Sequence, residues 1–253
     1  MIEVMDKICN KILKGDCLDL MKKIPDEGID MILCDLPYGT TRNKWDAIIP
    51  FESLWKAYER IIKPNGAIVL TAAQPFSSAL VMSNPKLFKY EWIWEKTIAS
   101  GQLNVNKQPL RIHEAVLVFY KRPPTYNQQM EPGNPYSIKR KVTFEGPGYN
   151  KQVASSKENT GYRHPKSILT IPNPRIEGGH PTQKPVELFK YLIKTYTDVG
   201  EVVLDNCIGG GTTAVAAIQT DRQFIGMELN AEYVKMSQKA IAEARKLGRV
   251  DLF

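Results

Sequence analysis

A glycine-rich turn close to the C-terminal end of the chain constrains its topology more than any other feature. Val203-Leu204-Asp205-Asn206-Cys207-Ile208-Gly209-Gly210-Gly211-Thr212-Thr213-Ala214 reads as a strand, a tight turn and the start of a helix. Glycines let the backbone approach a ligand closely, and a helix N-terminus offers unpaired N–H groups. Glu228 closes the next strand, 23 residues after Asp205, where a carboxylate can accept both hydroxyls of a ribose. Gly209-x-Gly211-x-x-Ala214 also satisfies the dinucleotide fingerprint. Only 42 residues follow Gly211, too few to complete an open sheet in the usual order. The missing strands must come from the N-terminal part of the chain.

Strand-like apolar runs lie there, at Ile29–Cys34, Ala67–Thr71, Tyr90–Glu95 and Ala115–Tyr120, with a weaker one at Ile8–Lys14. Glu201–Leu204 and Phe224–Met227 follow near the other end. Helical patterns separate them at about 17–24, 50–62, 75–83, 184–196, 212–220 and 230–247. Asn230 is placed to cap the last of these, and Lys63-Pro64-Asn65-Gly66 to end one helix and turn into the next strand. Such alternation argues for a mostly parallel sheet covered on both faces. At 253 residues with 43% apolar content, the chain has enough core to need no disulfide or metal staple. Cys9, Cys17, Cys34 and Cys207 form no CxxC pair, so they read as scattered buried thiols of a cytoplasmic protein. The N-terminus lacks a signal-peptide core, and no apolar run reaches the ~18 residues of a membrane span.

The net charge of +7 is not spread evenly. Residues 101–185 carry 13 Lys and Arg against 5 Asp and Glu, while the rest of the chain is net −1. The same stretch holds 11 of the 17 prolines and, from Pro123 to Pro181, little sustained periodicity. It contains the run Lys139-Arg140-Lys141 and the aromatics Tyr126, Tyr136, Phe144, Tyr149 and Tyr162. Basic side chains offset phosphate charge, and interleaved rings can stack on bases. A solvated loop with a few aromatic anchors has the same composition.

Two further motifs carry chemistry. In Ile32-Leu33-Cys34-Asp35-Leu36-Pro37-Tyr38-Gly39 a buried strand ends in an acid. Pro37 then biases Leu36 away from helix, so Asp35 and the Leu36 carbonyl form two adjacent acceptors beside the Tyr38 ring. That set suits a planar, amine-bearing base. His180-Pro181-Thr182-Gln183-Lys184-Pro185 opens the 184–196 helix, with Thr182 as a candidate cap and free N–H groups that favour an anion.

With these three motifs in this order, the sequence resembles the permuted beta group of S-adenosylmethionine-dependent DNA amino-methyltransferases. That family carries (D/N/S)PPY, then a variable recognition region, HPTQKP, and finally DPFxGSGTT. The resemblance implies a Rossmann-like methyltransferase fold of class α/β: a seven-stranded, mostly parallel sheet with one antiparallel strand and helices on both faces. Ala115–Tyr120 is the candidate antiparallel strand. It also implies a division into 1–120 (N-terminal catalytic part), 121–178 (inserted target-recognition region) and 179–253 (cofactor-binding part). The catalytic residues would be Asp35, Leu36, Pro37 and Tyr38, with Tyr38 stacking on a flipped base. S-adenosylmethionine would meet Asp16, Cys17, Asp35, Thr182, Gln183, Lys184, Asp205, Cys207, Gly209, Gly211, Thr212 and Glu228. Within that set, Glu228 would hold the ribose, Asp16 the adenine, and Thr182–Lys184 the methionine end. Arg122, Lys139, Arg140, Lys141, Lys151 and Arg163 are candidates for DNA contact, and Trp45 could close over the site.

Two departures stand out: Leu36 replaces the family's first proline, and Asn206-Cys207 replaces Pro-Phe, removing an aromatic beside the cofactor. Two acceptors on an exocyclic amine favour a tetrahedral nitrogen and stabilise the positive charge that develops on it, by electrostatic preorganisation rather than covalent catalysis. No metal is needed. In a duplex the base must be flipped out. Family usage pairs an initial Asp with adenine N6, which is the expected target. Cytosine N4 is the alternative, and a non-enzymatic DNA-binding protein on the same fold is the rival from another class. A nicotinamide oxidoreductase leaves Asp35–Tyr38 unexplained, and the absence of any Pro-Cys excludes cytosine C5 chemistry. Duplex DNA is the expected partner, a membrane is not, and a homodimer and a cognate restriction enzyme stay open.

Overall fold

The computed structural model describes residues 2–40, 46–139, 156–173 and 183–250. Its elements in chain order are α1 (Ile2–Ile8), β1 (Lys11–Lys14), α2 (Cys17–Met21), β2 (Ile29–Asp35), α3 (Phe51–Ile61), β3 (Ile62–Ala72), α4 (Phe76–Ser83), β4 (Phe88–Ser100) and β5 (Arg111–Phe119). Four short strands follow, β6 (Glu131–Pro132), β7 (Tyr136–Lys139), β8 (Ser156–Asn159) and β9 (Tyr162–Arg163), and then β10 (Ile168–Thr170). The C-terminal part adds α5 (Val186–Tyr196), β11 (Val202–Asp205), α6 (Thr212–Ile218), β12 (Gln223–Glu228) and α7 (Ala231–Val250). These divide into two compact units, one of 1–127 with 167–253 and one of 128–166.

The larger unit is built on a sheet of order β1-β12-β11-β2-β3-β5-β4-β10. β5 runs antiparallel to both of its neighbours, and the other pairings are parallel. Alternation explains why both faces are covered. Ile32, Cys34, Ile68, Leu70, Leu117 and Phe119 enter one core with α2, α3 and α4. Their sequence neighbours Met31, Leu33, Ala67, Val69, Val116 and Val118 enter the other, with α5, α6 and α7. A side-chain period of two gives each central strand one apolar set per face.

Two expectations need correction. The sheet has eight strands, not seven, because Ile168–Thr170 pairs with Ile93–Glu95 at the edge. Lys63–Gly66 does not precede its strand; β3 begins at Ile62, opposite Ile29, and the next pair is Ala67 with Met31. The four residues between are extruded as a bulge inside β3.

β11 and β2 come from opposite ends of the sequence yet lie side by side, Val203 against Met31 and Leu204 against Ile32. From that seam the strand order runs outward in two directions. Ligands of open α/β sheets bind beyond the strand C-termini at such a switch point, and Asp205 and Asp35 end the two strands there.

The smaller unit contains two antiparallel pairs, β6 with β9 and β7 with β8. Its described part is held by Arg163, whose guanidinium donates to Asn159 Oδ1 and to the carbonyl of Asn134 and lies over the Tyr136 ring at 4.4 Å.

Candidate active site

The glycine turn after β11 is braced from beneath. Gly211 has φ +93°, and a Cβ there would sit 3.0 Å from Ser237 Cα and Cβ, so only glycine fits without displacing α7. The carboxyl of Asp205 is buried and accepts from the Thr213 hydroxyl and from Cys207 N at 3.0 Å. Burial raises its pKa to about 6 against the lowering effect of those bonds. Tyr58 donates to Asn206 Oδ1 at 2.5 Å in the core below. Glu228 accepts from Gly209 N at 3.0 Å through one oxygen and from Asn230 N at 2.8 Å through the other. Each carboxylate oxygen keeps a second lone pair for a ligand. Asp16 caps α2 through Oδ1, which accepts from Leu18 N at 2.8 Å.

Asp35 lies at the end of β2 among donors. Tyr38 Oη donates to its Oδ1 at 2.8 Å, and the Thr71 hydroxyl donates to the same oxygen. Lys184 Nζ donates to Oδ2 at 2.8 Å and stands 3.2 Å from Glu114 Oε2, while Lys96 pairs with the other Glu114 oxygen. Asp35, Lys184, Glu114 and Lys96 thus alternate in sign. Burial opposes the Lys184 charge, but Asp35 and Glu114 hold its ammonium well above the ordinary lysine value. Burial likewise pushes Glu114 up, and the two lysines bring it below the usual glutamate value. Burial, reinforced by Asp35, raises the Tyr38 phenol, so its O–H stays protonated and donates. The Tyr38 ring is stacked on Phe76, centroids 5.1 Å apart.

Both groups open on one cavity of about 850 Å³ in the larger unit, lined by Asp16, Asp35, Lys184, Cys207, Gly209 and Glu228 among others. A second stretch of its wall is Lys96, Ser100, Arg111, His113 and Glu114.

Residues 29–239 match the N6_N4_Mtase family, described as DNA methylase. The chain belongs to this family of DNA methyltransferases. It is 28% identical to the DNA adenine methyltransferase YhdJ of Escherichia coli K12, over 91% of this chain and 82% of that one. Identity to the Type II methyltransferase M.BglII of Bacillus subtilis is 26%, over 92% of this chain and 69% of the relative. The fold matches that of the M1.HpyAVI–SAM complex with a TM-score of 0.62 at 22% identity, covering 90% of this chain and 98% of the other. The PvuII methyltransferase, cytosine-N4-specific, gives 0.65 at 18% identity, covering 93% and 89%.

In this methyltransferase Asp16, Cys17, Asp35, Leu36, Pro37, Tyr38, Gln183, Lys184, Asp205, Cys207, Gly209, Thr212 and Glu228 all line the cavity. Thr182, Trp45, Arg140, Lys141 and Lys151 lie outside the described residues, as does the side chain of Lys139. α5 starts at Val186 with Pro185 at its cap position, later in the chain than expected. Lys184, expected beside the methionine end, lines the cavity with its amine on Asp35. Arg122 is exposed and does not line the cavity. The Arg163 fork is occupied within its own unit. The thiols are not scattered either. Cys207 is in contact with both Cys17 and Cys34; burial lifts Cys34 to about 12, and the bond to Cys207 followed by burial raises Cys17. They stay protonated and serve as packing. Glu114, Lys96 and Thr71 were missed because no motif surrounds them. The one signal was a carboxylate directly ahead of the apolar run 115–119. Among the described residues no group of three His, Cys, Asp or Glu is placed to hold a metal, and no helix is long and apolar enough to cross a membrane.

Proposed function

We propose that this DNA methyltransferase acts on the N6 amine of adenine, flipped out of duplex DNA, with S-adenosylmethionine as methyl donor. The observation that carries the reading is Asp35, ending β2 on the same cavity as the glycine turn and Glu228. The residues fit the donor: a paired-oxygen acceptor in Glu228, a close-approach turn at Gly209 and Gly210 on the cavity wall, with Gly211 packed on α7 behind it, and Asp16 at the start of α2. When bound, S-adenosylmethionine supplies a methyl group already activated by a sulfonium.

The chain's own work is then positional and electrostatic. Asp35 and the Leu36 carbonyl accept from the two amine hydrogens and draw the nitrogen toward tetrahedral geometry, favouring the developing positive charge. Lys184 fixes Oδ2, while Thr71 orients Oδ1. The Tyr38 hydroxyl holds the Oδ1 position that the amine takes and yields it as the base enters. The Tyr38 ring rests on Phe76, and the Lys184 ammonium lies over it 5.5 Å from the centroid, so an entering base would stack next to that charge. Asp35 at the first motif position and the adenine-specific relative YhdJ favour adenine; the PvuII neighbour keeps cytosine N4 as the second reading. The basic segment 121–178, including the unit 128–166, is the proposed DNA-reading region.

Incubation with isotopically labelled S-adenosylmethionine and mixed-sequence duplex DNA, digestion to nucleosides and mass spectrometry test this. Labelled N6-methyladenine is expected. Labelled N4-methylcytosine would overturn the base assignment and keep the mechanism.

A further inference from the structure

The β4–β5 hairpin is longer than the sheet requires. β2 ends at Asp35, opposite Thr71, and β3 ends at Ala72, opposite Ala115 of β5. Arg111–Glu114 therefore continue past the rim with only β4 beside them. Four residues at ~3.4 Å each make an overhang of roughly 13 Å above the edge where Asp35 sits. The connecting residues 101–110 add a folded tip rather than a slack loop: Asn104 N bonds to Gly101 O at 2.9 Å, and Lys107 N and Gln108 N to Asn104 O at 2.9 and 3.0 Å.

What the arm displays is selective. No acid occurs from Lys96 to His113, where Lys107 and Arg111 are basic and Gln102, Asn104, Asn106 and Gln108 are amides. Apolar side chains stand out between them: Leu103 is 101% exposed and Val105 56%. Ile98, Leu110 and Ile112 are exposed on the same arm, and it is apolar exposure gathered on one element, not single residues, that marks an interaction site. The base of the arm, at Ser100, Arg111, His113 and Glu114, is itself cavity wall. A second copy of a chain of net charge +7 would meet its own sign here, whereas a polyanion would not.

We propose that this arm docks on duplex DNA beside the target base, with Lys107 on phosphate and Leu103 filling the space the flipped base leaves. This rests on the reading of the Asp35 cavity as the place where a flipped base reacts. Wedges of this kind offset the unstacking of a base step, and amides read base edges. The arm is separate from the segment 121–178 proposed above to read DNA.

The test uses the whole protein, a duplex it methylates, and the same duplex with an abasic site opposite the target base. Leu103→Ala should lower kcat/KM on the paired duplex by about tenfold or more, and restore most of it on the abasic-opposed duplex, where flipping is cheap. Lys107→Gln should reduce the slope of log Kd against log salt by about 1, with circular dichroism unchanged in both variants. Equal loss on both duplexes, or no loss, overturns the wedge. A change of sedimentation state in either variant would assign the arm to a second copy instead. Should the wild-type protein methylate no DNA, the reading of Asp35 fails, and the Lys107→Gln salt slope in plain duplex binding still decides whether the arm meets DNA.

Discussion

Lys184→Met should be the most destabilising single change at the site, and its size follows from the charges left behind. The ammonium is 7% exposed, 2.8 Å from Asp35 and 3.2 Å from Glu114. Methionine fills the volume but leaves two carboxylates facing each other. Removing one partner of a buried ion pair costs about 3–5 kcal/mol. The Asp35 side chain is 25% exposed, so water shares the load and ~3 kcal/mol is the better figure. In a chain of this size that lowers Tm by roughly 6–12 °C. The raised Lys184 pKa means its contribution is whole below the unfolded lysine value of ~10.4 and fades only as pH climbs through the folded value. Urea unfolding at pH 7.5 therefore reads it in full. Adding Glu114→Gln removes one of the stranded charges, so the double variant should recover at least ~1 kcal/mol relative to additivity. A loss below ~1 kcal/mol for Lys184→Met, or strict additivity of the two changes, would refute the alternating-charge account.

Asp35→Ala should abolish methyl transfer while leaving S-adenosylmethionine binding by calorimetry within a few-fold of wild type; substantial residual turnover would mean another acceptor serves the amine. Tyr58→Phe strands the buried Asn206 oxygen and should cost ~1–3 kcal/mol in urea unfolding. Gly211→Ala forces a Cβ against Ser237 at positive φ and should cost ~1–3 kcal/mol with weaker cofactor binding. The folded Asp205 carboxyl titrates near 6 against an ordinary 3.8, so this group lowers stability as pH rises between those values. Asp205→Asn should flatten that part of the stability–pH curve, and an unchanged curve would show that Asp205 does not titrate there.

The parts of the fold legible in the sequence were those with internal period. Met31 to Cys34, Ala67 to Leu70 and Val116 to Phe119 alternate between two cores, and a period of two survives any change of neighbour. β10 was not legible, because three residues carry no period and Ile168–Thr170 becomes a strand only by pairing with β4. The bulge at Lys63–Gly66 was read as a turn for the same reason: proline and glycine mark a break in the ladder without saying which side the strand begins. At the site, Asp35, Tyr38 and Glu228 were found through motifs that place backbone and side chain together. Glu114 has no such setting. Its importance comes from Lys184 and Lys96 meeting it across strands, a relation between distant positions that local pattern does not encode.

The seam between β11 and β2 has a consequence for when this protein acquires chemistry. Asp35 and the amine that fixes it are 149 positions apart, and the strand carrying the glycine turn comes later still. During synthesis the acceptor carboxylate emerges early, on a half-sheet whose inner edge has no neighbour. Its counter-charge and the glycine turn arrive only after the intervening positions have been made. Long-range closure of this kind is slow to form, and neither portion alone brings Asp35, Lys184 and the glycine turn together.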